Sequence, residues 1–383
     1  MRFWQLELPM LALLPCPATR WATPASVGPI QTRRVPFVST VSCPAEAAGS
    51  DTAEEAWLRA QQLSPQLSEA GALCLRGFGL PRTKAGFRRL CEALAFRPCD
   101  DALSSIGVRS LLSPSDGIFE AVDAPALAST FIGLHNDVTY RLGAPFAAFA
   151  CFRPAARGGE FLLADGRAVL GALSPDVVDS LSRRKLRVRV AGWDGAGALM
   201  AVAGPLREPL ARGIAFVAGA VVGAAFPLQS EVRWSDDYRR LDVLEPAKSP
   251  TNCHPVSGEP TFFSGIHSQS RYLQQRRAGS SFGGVAATDV FYGDMQPIEK
   301  EVLEHIDDVI SKLTVRVAMR EGDVVLLDSY QVLHGRDTFE GEREHAVLWL
   351  TNDGFAGGEA AEAGRSGIGV SDLINRLAVK QER

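Results

Sequence analysis

The sequence predicts an α+β fold: a double-stranded β-helix (jelly roll) core with flanking helices. Three observations point there. Short apolar runs recur along the chain, too short for most helices and bounded by Gly-rich turns. The helical segments fall to one side of that strand pattern, as in an antiparallel sandwich with helical additions. At 383 residues the chain is long enough for one large core.

The elements follow in order from Asp51. Glu54 to Leu67 has helical composition, which Pro65 bends or ends. Ala72 to Leu80 reads as a buried strand stopped by Gly77 and Gly79. A helix follows over Ala85 to Ala95, with Phe87, Leu90, Cys91 and Leu94 on one face. Pro145 to Phe152 is a continuous apolar run and so a buried strand. Gly158 and Gly159 turn the chain, and Glu160 to Ala164 starts another strand. Ala168 to Leu181 is a helix interrupted by Pro175. Ile298 to Leu313 is a helix pre-set by Pro297, with Val302, Ile306, Ile310 and Leu313 as its stripe. Val324 to Leu327 and Ala346 to Leu350 are further strands, and the Gly- and charge-rich stretch Leu333 to Glu342 connects them. Beyond Asn352 the tail is Gly/Ala-rich, with a short helix over Val370 to Leu377.

Gly213 to Ser230 carries no charge, which invites a membrane reading. A spanning helix needs about 20 apolar residues. This run is interrupted by Gly213, Gly219 and Gly223 and broken at Pro227, so it reads as a buried core or lid segment. Charged residues make up 22% of the chain and the net charge is -4, which gives no general attraction to nucleic acid or an anionic membrane. The seven cysteines are odd in number and scattered, without a C-x-x-C pair. That disfavours a disulfide framework and a zinc site, and fits a reducing compartment. Residues 1–47 stand apart as a targeting or disordered extension. Up to Pro44, Arg2, Arg20, Arg33 and Arg34 face one acid, Glu7, among many Ser, Thr and Pro. That composition suits an address to a chloroplast or mitochondrion; without it the chain would be cytoplasmic. The globular domain is expected over residues 48–352, with 353–383 as a tail.

Candidate chemistry lies in two separated motifs. His135 and Asp137 stand two apart in Gly133-Leu134-His135-Asn136-Asp137, and i and i+2 in extended chain face the same way. Far along the chain, Leu333-His334-Gly335-Arg336 supplies another imidazole. Two imidazoles and a carboxylate on one face leave three positions open, the arrangement of iron(II) oxygenases. A 2-oxoglutarate molecule can chelate such a metal through its 1-carboxylate and 2-keto oxygen, leaving one position for dioxygen. Its far carboxylate then needs a cation, best an Arg fork. Arg343 is the leading candidate and Arg336 the second.

The ordered motif set resembles the taurine dioxygenase / clavaminate synthase-like family, in particular its branch related to syringomycin-type aspartyl hydroxylases. It comprises "GALCLRGFGL" (Gly71 to Leu80), "LHNDVTY" (Leu134 to Tyr140), "FRPAARGGEFLLADGRAVLGAL" (Phe152 to Leu173), "FYGDMQPI" (Phe291 to Ile298) and "GDVVLLDSYQVLHGRDTFEGEREHAVLWL" (Gly322 to Leu350). The resemblance implies an iron(II)- and 2-oxoglutarate-dependent oxygenase with His135, Asp137 and His334 as metal ligands and Arg343 on 2-oxoglutarate. It implies hydroxylation of an unactivated C–H bond in a small amino-acid-like or carboxylate substrate, free or tethered to a carrier protein, with release of succinate and carbon dioxide. Halogenation is disfavoured because Asp137 fills the position a halide would take. The chain departs from the family at Phe161, where a Thr usually helps bind 2-oxoglutarate. That departure keeps open a second reading, a non-catalytic jelly-roll module binding a small ligand or partner.

Of the other polar residues, Asn136 and Tyr140 are expected on the substrate side and His345 on the inward face beside Arg343. His254 reads as structural and His305 as a surface residue. His267 reads as structural unless it touches substrate.

Overall fold

The computed structural model describes residues 14–15, 36–100, 111–113, 118–120, 123, 127–136, 144–193, 197–225, 231–235, 237–277 and 288–353. Its helix ends follow local chemistry. The Ser50 side chain accepts from the Ala53 amide and opens the Asp51–Ala60 helix. Pro65 sits in the first turn of a second helix, Leu63–Ala70, where its missing N–H costs nothing. Gly71, at φ 95°, ends that helix. Pro175 likewise divides the expected 168–181 helix into Gly166–Ala172 and Pro175–Arg184. The Lys300–Leu313 helix buries Leu303, Ile306, Val309 and Ile310, whereas Val302 and Leu313 are only partly buried. Its inward stripe is thus rotated by about one position from the expected one.

Two facing sheets carry the site. In chain order their strands are β1 (Val38–Ser42), β2 (Ala72–Arg76), β3 (Arg97–Asp100), β4 (Ile132–His135), β5 (Phe146–Arg153), β6 (Phe161–Asp165), β7 (Val315–Val317), β8 (Val324–Asp328), β9 (Val332–Arg336) and β10 (Glu344–Thr351). The larger sheet runs β3-β10-β5-β8-β2-β1, antiparallel except for the parallel β1–β2 pair, and short strands extend it at β3 and β10. The smaller runs β7-β6-β9-β4 and is antiparallel throughout. β1 lies upstream of residue 48, where composition put the start of the domain.

The sheets share one apolar interior. Phe149, Val325, Val347 and Trp349 from the larger sheet pack with Phe161, Leu163, Val317 and Val332 from the smaller. β5, β8 and β10 are almost wholly buried, which explains their continuous apolar sequence. A separate sheet of Glu231–Trp234, Leu241–Leu244, Leu186–Trp193 and Asp289–Tyr292 lies outside this sandwich.

Two expectations are corrected. The 333–342 stretch is not simply a connection: β9 occupies its first half, and all five residues of that strand are buried. Its glycine and charges hid the strand, because Arg336 is buried and Gly335 is required by close packing. The 213–230 run is not a fully buried core segment: its described residues, 213–225, form most of an Arg207–Ala225 helix. One face packs Ala211, Ile214, Ala215 and Ala218 on Trp234 and Val232, while Phe216, Val217 and Val221 face solvent. Among the described residues no helix is long and apolar enough to cross a membrane. The 370–377 helix lies outside the described residues.

β4 and β9 meet through glycine. A Cβ on Gly335 would lie 2.4 Å from the Ile132 carbonyl oxygen, and one on Gly133 would lie 2.5 Å from the His267 carbonyl oxygen. Both obstacles are backbone and cannot swing aside. Gly335→Ala should therefore destabilise the fold by roughly 1–3 kcal/mol, the usual cost of overpacking. Gly213→Ala, on a helical position with nothing within 4 Å of the added Cβ, should be neutral or stabilise by up to about 1 kcal/mol. Denaturant unfolding of both variants checks the contrast; equal effects would contradict this packing.

Candidate metal and cosubstrate site

The cross-strand register of β4 and β9 pairs His135 directly with His334. Their ring centroids lie 4.7 Å apart. His135 Nδ1 is 2.8 Å from the Gly133 carbonyl oxygen. When Nδ1 carries the proton it donates to that oxygen, and Nε2 is left as the ligating atom. Two imidazoles so placed fit a divalent metal. Among the described residues no third His, Cys, Asp or Glu completes a cluster with them. Asp137, the expected carboxylate ligand, and Tyr140 lie outside the described residues.

His334 stands against an aromatic wall. Phe149 from β5 is 5.1 Å away and Phe161 from β6 is stacked at 5.9 Å, centroid to centroid. Phe161 pairs directly with Arg336, two residues beyond His334 on the same inward face. The position where the family usually has a Thr thus carries a ring that shields His334 and offers no hydroxyl.

The residues around the motif were read less well from sequence. Asn136 is not on the substrate side. Its Nδ2 donates to the Ser329 and Val332 carbonyl oxygens at 3.1 Å each, and its Oδ1 accepts from the Ser264 amide at 3.1 Å. A buried amide so fully engaged is a clamp between the two His motifs. His267 packs behind β4. Its Nδ1 accepts from the Leu134 amide at 2.8 Å, and its Nε2 lies 3.1 Å from Asp307 Oδ1. Arg277 donates to Asp307 at 2.7 Å and to the His267 carbonyl at 2.8 Å. His254 is structural as expected, 2.9 Å from Asp328 Oδ2. His305 is not a free surface group: its Nε2 accepts from the Ser174 amide at 3.0 Å, beside the Pro175–Arg184 helix start.

Arg336 and Arg343 both lie inside. The Arg343 side chain is 2% exposed, so it is no solvated edge charge. Its Nη1 donates to Asp123, and its Nη2 lies 2.9 Å from His345 Nδ1. The His345 amide also donates to Asp123. His345 thus shares the inward face with Arg343, as expected. Arg336 Nη2 donates to the Leu127 and Thr130 carbonyl oxygens at 2.8 and 3.0 Å. Burial, and then the Arg343 charge, lower its pKa to about 10, so it stays cationic at neutral pH. Burial, and then both guanidinium groups, push His345 well below its ordinary value and keep it neutral. Burial also pushes the nearby Cys151 thiol up to about 12, leaving it an inert part of the wall. Asp123 was missed in the sequence, where a single acid in an otherwise apolar stretch carries no signal.

Residues 40–349 match the taurine catabolism dioxygenase TauD, TfdA family, and the chain belongs to it. It is therefore an iron(II)- and 2-oxoglutarate-dependent dioxygenase, and the non-catalytic alternative falls away. A curated relative, the dapdiamide synthesis protein DdaC of Enterobacter agglomerans, is 24% identical over 322 residues, covering 82% of this chain and 91% of the relative. Similar solved structures include PvcB of Pseudomonas aeruginosa, 14% identical with a TM-score of 0.46 over 91% of this chain and 94% of that one. Another is asparagine oxygenase with Fe(II), 3-hydroxyasparagine and succinate, 17% identical with a TM-score of 0.42 over 82% of this chain and 94% of that one. These superpositions are loose, and membership rests on the sequence match.

Burial lowers the His267 pKa from 6.5 to about 4, although the Asp307 hydrogen bond opposes the shift. Asp307 is held down to about 2: burial would raise it, but the hydrogen bonds from His267 and Arg277 prevail. The native pair is thus neutral imidazole with carboxylate. Between about pH 6.5 and 4 the unfolded chain binds a proton at His267 that the native chain refuses, so stability falls as pH falls through this window. The full loss is up to about 3 kcal/mol. His267→Gln should be less stable than wild type at pH 7 and lose less on acidification to pH 4.5. Parallel pH dependences in urea unfolding would contradict this reading.

Proposed function

We propose that this dioxygenase hydroxylates an unactivated C–H bond of a small amino-acid-like or carboxylate substrate, on a metal held by His135, Asp137 and His334. The observation that carries the reading is the placement of a cross-strand imidazole pair and two buried guanidinium groups within one sandwich interior. The first can ligate a metal and the second can take the far carboxylate of 2-oxoglutarate. The facing sheets and their register support a jelly-roll core, and residues 48–352 with the preceding β1 are its domain. The motifs shared with the aspartyl-hydroxylase branch support the substrate class, free or carrier-tethered. The Arg-bearing, acid-poor composition of residues 1–44 supports an organellar address.

Iron(II) with 2-oxoglutarate, when bound, would supply the electrons that activate dioxygen for attack on a C–H bond, the 2-oxoglutarate leaving as succinate and carbon dioxide. The protein's own residues do the rest. His135 and His334 hold the metal on adjacent strands, and Asn136 ties the first strand's end to the start of the second. His267 fixes the Leu134 amide one residue before His135. Phe149 and Phe161 keep water from His334. Arg343 and Arg336 orient the cosubstrate by its far end.

Purified anaerobically, the protein should bind about one iron(II) per chain, and His135→Ala, Asp137→Ala and His334→Ala should each lose most of it while keeping the wild-type circular dichroism. Three variants that retain full iron would show the ligand set to be wrong. Arg343→Ala should weaken 2-oxoglutarate roughly ten- to a hundredfold, as expected for a lost charge-assisted contact, with iron binding nearly unchanged. Arg343→Lys should recover only part, because an ammonium lacks the two-pronged geometry. Titration of the metal-to-ligand charge-transfer band reads both variants. Screening small amino acids and carboxylates for stimulated succinate formation tests the substrate class.

A further inference from the structure

Four buried groups meet where β9 and the start of β10 approach Asp123 and residues 127–130: Arg336, Arg343, Asp123 and His345. Both guanidinium groups lie over the Phe339 ring, Arg336 at 4.7 Å and Arg343 at 5.7 Å from its centroid. Arg336 is 3% exposed, and its Nε and Nη1 have no hydrogen-bond partner among the described residues. Asp123 is occupied differently: it accepts from Arg343 Nη1 on one oxygen and from the His345 amide on the other. With His345 neutral, the two cations and one anion among the described residues sum to +1 and leave one donor fork, that of Arg336, unfilled among them. A buried charge persists only when paired, so this pocket is built to take one further carboxylate.

We infer that Asp123 is the residue that sets the affinity of this pocket for the cosubstrate: its carboxylate already fills one of the two anion positions between Arg336 and Arg343. The inference rests on Arg336 and Arg343 being the 2-oxoglutarate anchor. An arriving carboxylate meets one net positive charge instead of two, and finds Arg336's Nε–Nη1 edge open while Arg343 is shared with Asp123. The arrangement has a chemical purpose. Cosubstrate and coproduct carry the same far carboxylate, since 2-oxoglutarate becomes succinate by oxidative decarboxylation at its other end, where carbon dioxide leaves and one oxygen atom of dioxygen enters. This anchor therefore holds both alike. Two unshared guanidinium groups would retain succinate as firmly as they recruit 2-oxoglutarate, and Asp123 weakens both holds together.

The test is a charge series on the manganese-loaded protein, with 2-oxoglutarate and succinate titrated separately by calorimetry at low ionic strength. Asp123→Asn raises the pocket to +2 and should tighten both ligands by about tenfold. Arg343→Gln lowers it to zero and should weaken both by at least as much. The double variant Asp123→Asn/Arg343→Gln restores +1 and should bind about tenfold more tightly than Arg343→Gln alone, short of wild type because the Arg343 contact is gone. It also removes both partners of the ion pair, so it remains informative if Asp123→Asn alone folds poorly. Weakened arginine variants together with an Asp123→Asn that binds no tighter, or a double variant as weak as Arg343→Gln, would overturn the inference alone. Unchanged affinity in both Arg336→Gln and Arg343→Gln overturns the anchor and the inference together.

Discussion

The close approach of β4 to β9 is the constraint on which the rest of the site depends. β9 could not come so near with a side chain at Gly335, where an added Cβ would meet the β4 backbone at 2.4 Å. Gly133 in the same way lets the 266–269 helix close on β4, where a Cβ would meet the helix backbone at 2.5 Å. The β4–β9 proximity sets His135 opposite His334 and leaves the second side of β4 to be sealed by the 266–269 helix, whose His267 takes the Leu134 amide. His135 and His334 are thus positioned by backbone geometry and by hydrogen bonds to their neighbours. Asn136 contributes in the same way, by tying the chain after His135 to Ser329, Val332 and Ser264.

Electrostatics divides the interior into two regions. Around His334 the wall is aromatic and neutral. Toward the start of β10 it holds two guanidinium groups and one carboxylate with little access to solvent. Burying such charges is costly, and structure-stabilising ion pairs are normally made complete. Here the pairing is incomplete at Arg336 among the described residues, as a site awaiting an anion would be.

Much of this was legible in the sequence because the signals were local. Continuous apolar runs gave β5, β8 and β10, and Pro175 marked where a helix divides, whereas Pro65 stands inside the first turn of Leu63–Ala70, past the break at 61–62. The two His motifs and the buried position of Arg343 followed from spacing and family resemblance. The failures share a cause: burial of polar groups by partners distant in sequence. β9 was hidden because His334, Gly335 and Arg336 look like a loop until β4 and β6 enclose them. Asn136 looked available because nothing near it in sequence reveals Ser264 or Ser329. His305 looked exposed for the same reason, its partner Ser174 lying far upstream. Asp123 was silent because one acid acquires meaning only when Arg343 and the His345 amide converge on it.

The segment leading into β4 has a consequence for how the two ligands of the enzyme communicate. Asp123 and residues 127–130 are joined to the anion pocket, the latter through the Leu127 and Thr130 carbonyls and through the Ala128 carbonyl, which accepts from the Phe339 amide. Two residues further on, the same chain becomes the strand that carries His135. An anion held by Arg336 and Arg343 would therefore act on a segment continuous with His135. Thermodynamic reciprocity then applies: whatever factor iron contributes to the affinity for 2-oxoglutarate, 2-oxoglutarate returns to the affinity for iron.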